Sequence, residues 1–103
     1  MKTTVRILDA AAQEAIEAAA WYELERPGLG VELSEAFDAA LDVIEEGLLP
    51  LSPIPDEGGD VGAKRLILDR FPYDVVIIEE PGEVVVISFA HHSRKPGYWR
   101  DRA

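Results

Sequence analysis

The sequence predicts an α+β fold, a helical hairpin packed on one face of a mainly antiparallel sheet, in the order β-α-α-β-β-β. Three patterns carry this expectation. Apolar residues recur at helical spacing from Ala10 to Glu46. Beyond Gly62 the apolar runs become short and strand-like, with "YDVVIIEE" and "VVVISFA" joined by "EPGE". One alternating stretch, "TTVRILDAA", precedes the helices. Helices grouped together, with most strands after them, pack on one side of an antiparallel sheet. The 103 residues suffice for one domain, taken here as 1–103.

In the first strand Val5 and Ile7 share one face, and Thr4, Arg6 and Leu8 the other. Asp9 suits a helix N-cap, because its carboxylate can accept from the free amides of the next turn. Ala12, Ala15, Ile16, Ala19 and Tyr22 then form the expected buried stripe, with Gln13, Glu14 and Glu17 away from it. "RPGLG" ends this helix. A second helix is expected over 31–46, burying Leu33, Phe37, Ala40, Leu41 and Ile44, with its acidic residues on a solvated face. The short connection makes the pair an antiparallel hairpin.

Residues 47–62 hold three prolines and four glycines and read as a loop. "AKRLIL", "YDVVIIEE" and "VVVISFA" are the remaining strands, the last two a hairpin turning at Pro81 and Gly82. Simple alternation puts Val85, Ile87 and Phe89 towards the helices. It puts Val84, Val86, Ser88 and Ala90 on the opposite face. Two helices cover only one side of a sheet, so that opposite face needs a partner or the chain's own loop and tail.

The absence of cysteine excludes disulfides and thiolate metal sites. No stretch has the apolar length of a signal peptide core or a membrane span, so a cytoplasmic protein without membrane contact is expected. The net charge is -10 and unevenly spread. Residues 1–60 carry 14 acidic and 3 basic side chains, whereas residues 61–103 carry 6 and 7. Such a chain is repelled by nucleic acid at long range, which argues against a general nucleic-acid binder.

The chemistry-bearing residues collect in "HHSRKPGYW", residues 91–99. On a continuing strand His91 and His92 point to opposite faces, so they do not share one metal ion, and neither a metal nor a cofactor is expected. One histidine could carry a proton. Arg94, Lys95, Arg100 and Arg102 cluster in sequence with Tyr98 and Trp99. Lys64, Arg65 and Arg70 can approach them through the sheet. Such a group could hold a phosphate or a carboxylate-rich partner.

Taken together and in order, "AAAWYELERPGLG", "AFDAALDVIEEG", "AKRLILDRFPYDVVI" and "AHHSRKPGYW" resemble the RelE/ParE superfamily of bacterial toxins from type II toxin–antitoxin systems. The likeness spans nearly the whole chain, and that family has the β-α-α-β-β-β fold. It implies a small cytoplasmic toxin, neutralised by a cognate antitoxin that wraps it and links it to DNA only indirectly. It also implies a homodimer or a toxin–antitoxin hetero-oligomer.

The family divides by target. RelE-like members cut messenger RNA on the ribosome, and the resemblance then assigns Arg65, His91, Arg94 and Tyr98 to catalysis. ParE-like members inhibit DNA gyrase by binding, and the same tail is a docking surface. Lys64, Arg70, Lys95 and Trp99 are expected to contact the target or partner in either case. "RPGLG", "RFPY" and "RKPGYW" resemble the ParE-like branch more closely. Two departures stand out. Ser93 replaces a residue that is often basic in relatives, and the net charge is -10 where such toxins are usually basic. They leave a third alternative, a degenerate inactive module that keeps the toxin fold and the antitoxin contact.

Overall fold

The computed structural model describes residues 3–47, 52–53, 62–95 and 97–102. Strand β1 (Thr4–Ile7) leads into helices α1 (Asp9–Glu25) and α2 (Leu29–Glu46). A short β2 (Ser52–Pro53) precedes β3 (Lys64–Ile67), β4 (Tyr73–Glu80) and β5 (Glu83–His91). A 3-10 turn, Arg100–Arg102, follows. The sheet order is β1-β5-β4-β3-β2, with β1 parallel to β5 and every other pair antiparallel. The expected element order holds, with β2 added inside the segment read as a loop. The rest of that loop reading, at 48–51 and 54–61, lies outside the described residues, as does Pro96.

Helix α2 buries Leu33, Phe37, Ala40 and Ile44, with Leu41 packed beside them, as its periodicity predicts. It starts at Leu29, two residues before the expected boundary. The cause is Glu23, whose carboxylate accepts from the amides of Gly28 at 2.8 Å and Gly30 at 3.0 Å. An anion placed there also complements the positive end of the helix dipole.

Helix α1 departs from its predicted phase. Ala11 and Ala18 are buried, with Ala15 and Tyr22 packed alongside, while Ile16 is 62% exposed. Alanine-rich helices have little apolar contrast, so the contacts of the fold set the phase rather than the helix's own pattern. The rotation brings Glu14 to the buried side, between Ala11 and Ala18. The expected Asp9 cap is not formed either. Leu8 holds the cap position without a side-chain bond, and Asp9 is the first helical residue, where its charge still favours the dipole.

The face assignment of β5 needs correction. Val76 pairs with Ser88 but Ile77 pairs with Val86, so Ile87 is an extra residue, a β-bulge. A bulge reverses the alternation of faces. Val84 and Val86 therefore face the helices before it and Phe89 faces them after it, while Val85, Ile87 and Ala90 face away. Phe37, Phe89 and Tyr73 join at the centre of the helix-side core, with ring centroids 4.5 and 5.5 Å from Phe37. The far face is covered by the chain itself. Trp99, 4% exposed, packs with Ala63, Val76, Val85, Ile87 and Ala90.

At the β4–β5 hairpin Glu80 pairs directly with Glu83 across a two-residue turn. Pro81 stands first and Gly82 second at φ 77°, the sequence and torsion that a type II turn requires.

Gly30 sits where the helices touch. A Cβ there would lie 2.3 Å from the Ala19 carbonyl oxygen and 3.0 Å from Glu23 Cβ. Backbone cannot yield as a flexible side chain does, so Gly30→Ala is expected to cost about 2–3 kcal/mol. Urea unfolding should show a lower midpoint with an unchanged slope.

Candidate functional site

The last turn of β5 and the chain after it close over the outer ends of β3 and β4. A concavity of about 300 Å³ results, lined by Arg65, Asp74, His91, His92, Arg94, Lys95, Tyr98 and Trp99 among others. Strand register explains the selection. Arg65 pairs opposite Val76, and Asp74 lies two residues from Val76, so all three share the face away from the helices. Lys64 pairs opposite Ile77 on the helix-bearing face, where its ammonium meets Glu79 at 2.5 Å.

Of the eight residues expected from sequence, the fold gathers Arg65, His91, Arg94, Tyr98, Lys95 and Trp99, and leaves out two. Lys64 is turned to the other face. Arg70, in the β3–β4 turn, pairs with Glu32 at 3.1 Å and lies over the Phe71 ring. Within the cavity Trp99 is a buried wall rather than an exposed contact, because its indole fills the far-side core.

The proton-bearing groups are engaged. The Ser93 amide donates to His91 Nδ1 at 2.9 Å. An amide only donates, so that nitrogen holds its lone pair there and the neutral ring carries its proton on Nε2. The His91 ring also stands edge-on to Tyr73, with centroids 5.0 Å apart. His92 Nε2 donates to Asp74 Oδ1 at 2.8 Å, and Arg65 Nη1 lies 3.5 Å from Asp74 Oδ2. The two histidines thus lie against neighbouring strand residues, Tyr73 and Asp74, whose side chains leave β4 on opposite faces.

Tyr98 donates its hydroxyl to Glu14 Oε2, and its ring lies 4.1 Å below the Arg94 guanidinium. Burial, then the bond to Glu14, pushes its pKa above that of a free tyrosine. A tyrosine is protonated at neutral pH, and the upward shift moves it further from acting as a base. Glu14 collects further partners: Ser88 Oγ at 2.9 Å, the Phe89 amide at 3.2 Å and Arg102 Nη1 at 2.8 Å. Arg102 Nη1 also reaches the Ile87 carbonyl at 3.0 Å. His91, Arg94 and Tyr98 form a ridge between this cavity and a second of about 240 Å³, which Glu14, Glu17 and Trp21 line on the helix side.

No protein-family model matches the sequence, and no curated protein matches it. Its fold is similar to that of a chain in a solved structure described as "Chromosomal ParDE TA system from P. aeruginosa", at TM-score 0.74 and 12% sequence identity. The superposition covers 87% of this chain and 96% of that one. The likeness is one of fold, two helices packed on a mixed sheet in the order β-α-α-β-β-β. No helix among the described residues is long and apolar enough to cross a membrane.

Two site residues were not legible from the sequence as functional candidates, Glu14 and Asp74. Glu14 meets partners 74 to 88 residues away, and only the rotated phase of α1 turns it inward. Asp74 stands in an apolar strand, where a single carboxylate normally marks the solvated side.

Glu14→Gln keeps the shape but leaves Arg102 without its counter-charge. It is expected to lower stability by about 3 kcal/mol, the scale of a broken buried pair, measured by urea unfolding. Tyr73 supplies a pH test. Burial, with neighbouring Tyr22, Tyr98 and Glu14 adding to it, pushes its pKa from 10.0 up to about 12. A pKa raised on folding gives stability that is complete below pH 10 and lost as pH rises through about 12. Tyr73→Phe should flatten that part of the stability–pH curve and remove a late step in tyrosinate absorbance.

Proposed function

We propose that this protein is the toxin of a toxin–antitoxin pair and that it acts by docking on its target through the cavity and tail, as ParE-like toxins dock on DNA gyrase. The near full-length likeness to a chain of a ParDE system carries the first half of the proposal. It agrees with the sequence motifs that resemble this superfamily. An antitoxin is the expected partner. The helical hairpin offers it a groove of about 340 Å³ lined by Ala12, Ala15, Ile16, Ala19 and Leu41, and Leu24 and Val31 are exposed on the same two helices.

The state of the proton-bearing groups favours binding over RNA cleavage. Cutting RNA by its own 2′-hydroxyl needs a base on that hydroxyl and an acid on the leaving oxygen. His91 spends its Nδ1 lone pair on Ser93, and Tyr98 is protonated and donates to Glu14, so neither proton carrier assigned by resemblance is free to take up the 2′-hydroxyl proton. What remains at the rim is Arg94 and Lys95, exposed cations suited to an acidic protein surface.

The ribonuclease alternative keeps one supporting observation. Arg65, His91, Arg94 and Tyr98, assigned to it by resemblance, do line one cavity.

Induction in a bacterial host without the neighbouring antitoxin gene separates the two. Docking on gyrase predicts growth arrest with an SOS response and intact ribosome-bound messages. Arg94→Glu should relieve the arrest, while Tyr98→Phe should weaken it less than tenfold. Cleaved messages that disappear in Tyr98→Phe would establish the nuclease instead.

A further inference from the structure

The cations of the cavity are not equally available. Asp74 presents one carboxylate oxygen to Arg65 Nη1 at 3.5 Å and the other to His92 Nε2 at 2.8 Å. Its side chain is only 13% exposed, so water screens these contacts weakly. A carboxylate bridging a guanidinium and an imidazole occupies the position that two oxygens of a phosphate would take. Arg65 Nε is buried without a hydrogen-bond partner, so the guanidinium meets its anion through Nη1. Arg94 and Lys95, by contrast, are exposed at the rim. Arg94 rests on the Tyr98 ring, and neither has an ion pair among the described residues.

We infer that Asp74 is the specificity-determining residue of this cavity, a built-in anion that fills the phosphate position between Arg65 and His92 and excludes nucleic-acid backbone. The inference rests on the cavity being the target-binding site proposed above. A phosphodiester entering it must displace or approach a fixed carboxylate, and like charges in a shielded site repel strongly. A protein carboxylate can reach Arg94 and Lys95, exposed at the rim, without entering the position between Arg65 and His92 that Asp74 fills.

The test uses the full chain and a fluorescein-labelled single-stranded oligouridine, with binding followed by anisotropy over a range of salt. Asp74→Asn is nearly isosteric and keeps an acceptor for His92. Asp74→Ser serves as a second variant should the first fold poorly. Glu79→Gln makes the same charge change on the opposite face, beside Lys64, and controls for net charge. Wild type and Glu79→Gln are expected to bind weakly and alike. Either Asp74 variant should bind at least tenfold tighter, with a steeper salt dependence, and adding Arg65→Met should abolish the gain. Wild-type binding as tight as the Asp74 variants would overturn the inference, as would an equal gain in Glu79→Gln or a gain that survives Arg65→Met. Growth arrest plays no part in the measurement, so a protein that fails as a toxin can still pass it.

Discussion

The arrangement depends on one carboxylate. β1 pairs with β5 only from Glu83 to Val86, so β5 becomes an unpaired edge from Ile87 onward. Buried backbone groups at such an edge need partners. Glu14 accepts the Phe89 amide, and Arg102, held by the same carboxylate, donates to the Ile87 carbonyl. Side chains from the first helix and the last turn thus stand where another strand would. The bulge at Ile87 lies on this stretch and turns Phe89 inward against Phe37. Without Glu14 the tail would lose its polar anchor at Tyr98 and Arg102, leaving Trp99 in the far-side core to hold it.

Holding the tail this way fixes its chemistry. Tyr98 is tied by its hydroxyl to Glu14 and covered by Arg94 on its ring, and Trp99 is committed to the far-side core. A stretch that reads in sequence as a collection of reactive groups is therefore mostly structural on one side. The cations that stay available, Arg94 and Lys95, are those whose side chains leave the tail towards solvent. In a chain of net charge -10 they form a small cationic feature in an acidic surround. That pattern favours short-range recognition of a particular surface over long-range attraction to a polyanion.

The legible parts of the fold are those where one physical signal dominates. Leu33, Phe37, Ala40 and Ile44 recur with strong contrast against acidic neighbours, and α2 buries them as expected. β4 matches "YDVVIIEE" in full, and Pro81-Gly82 makes its turn. Signals failed where they were weak or local rules were overridden. An alanine-rich α1 carries no clear phase, so Ile16 was placed inside and Glu14 outside, the reverse of the outcome. Alternation along β5 could not reveal a bulge, because Val85 and Val86 are equally apolar. The resemblance places Trp99 at a target or partner contact, whereas its indole completes the far-side core, the cover by the chain's own tail that the sequence left open. The six gathered site residues were found through the tail motif and the strand assignment. Lys64 missed the cavity by one residue of register.

A likeness that covers 87% of this chain at 12% identity separates what sustains the fold from what selects its activity. The fold survives wholesale replacement of residues, because cores tolerate exchange when volume and pattern are kept. Function is carried by sites placed on such a frame, and the same frame hosts different chemistries. On the proposed reading, the choice between cleaving RNA and gripping a protein lies in a few protons and charges: which nitrogen of His91 holds a lone pair, what Tyr98 donates to, and whether Asp74 stands where a phosphate would. In this chain each of the three is settled by a neighbour that satisfies the group internally. On that reading, groups that bond one another in the unbound state are not aimed at charge developing on a substrate, as catalysis requires, and the cations left over are Arg94 and Lys95 at the rim. It retains what recognition needs, a defined shape and outward-facing cations.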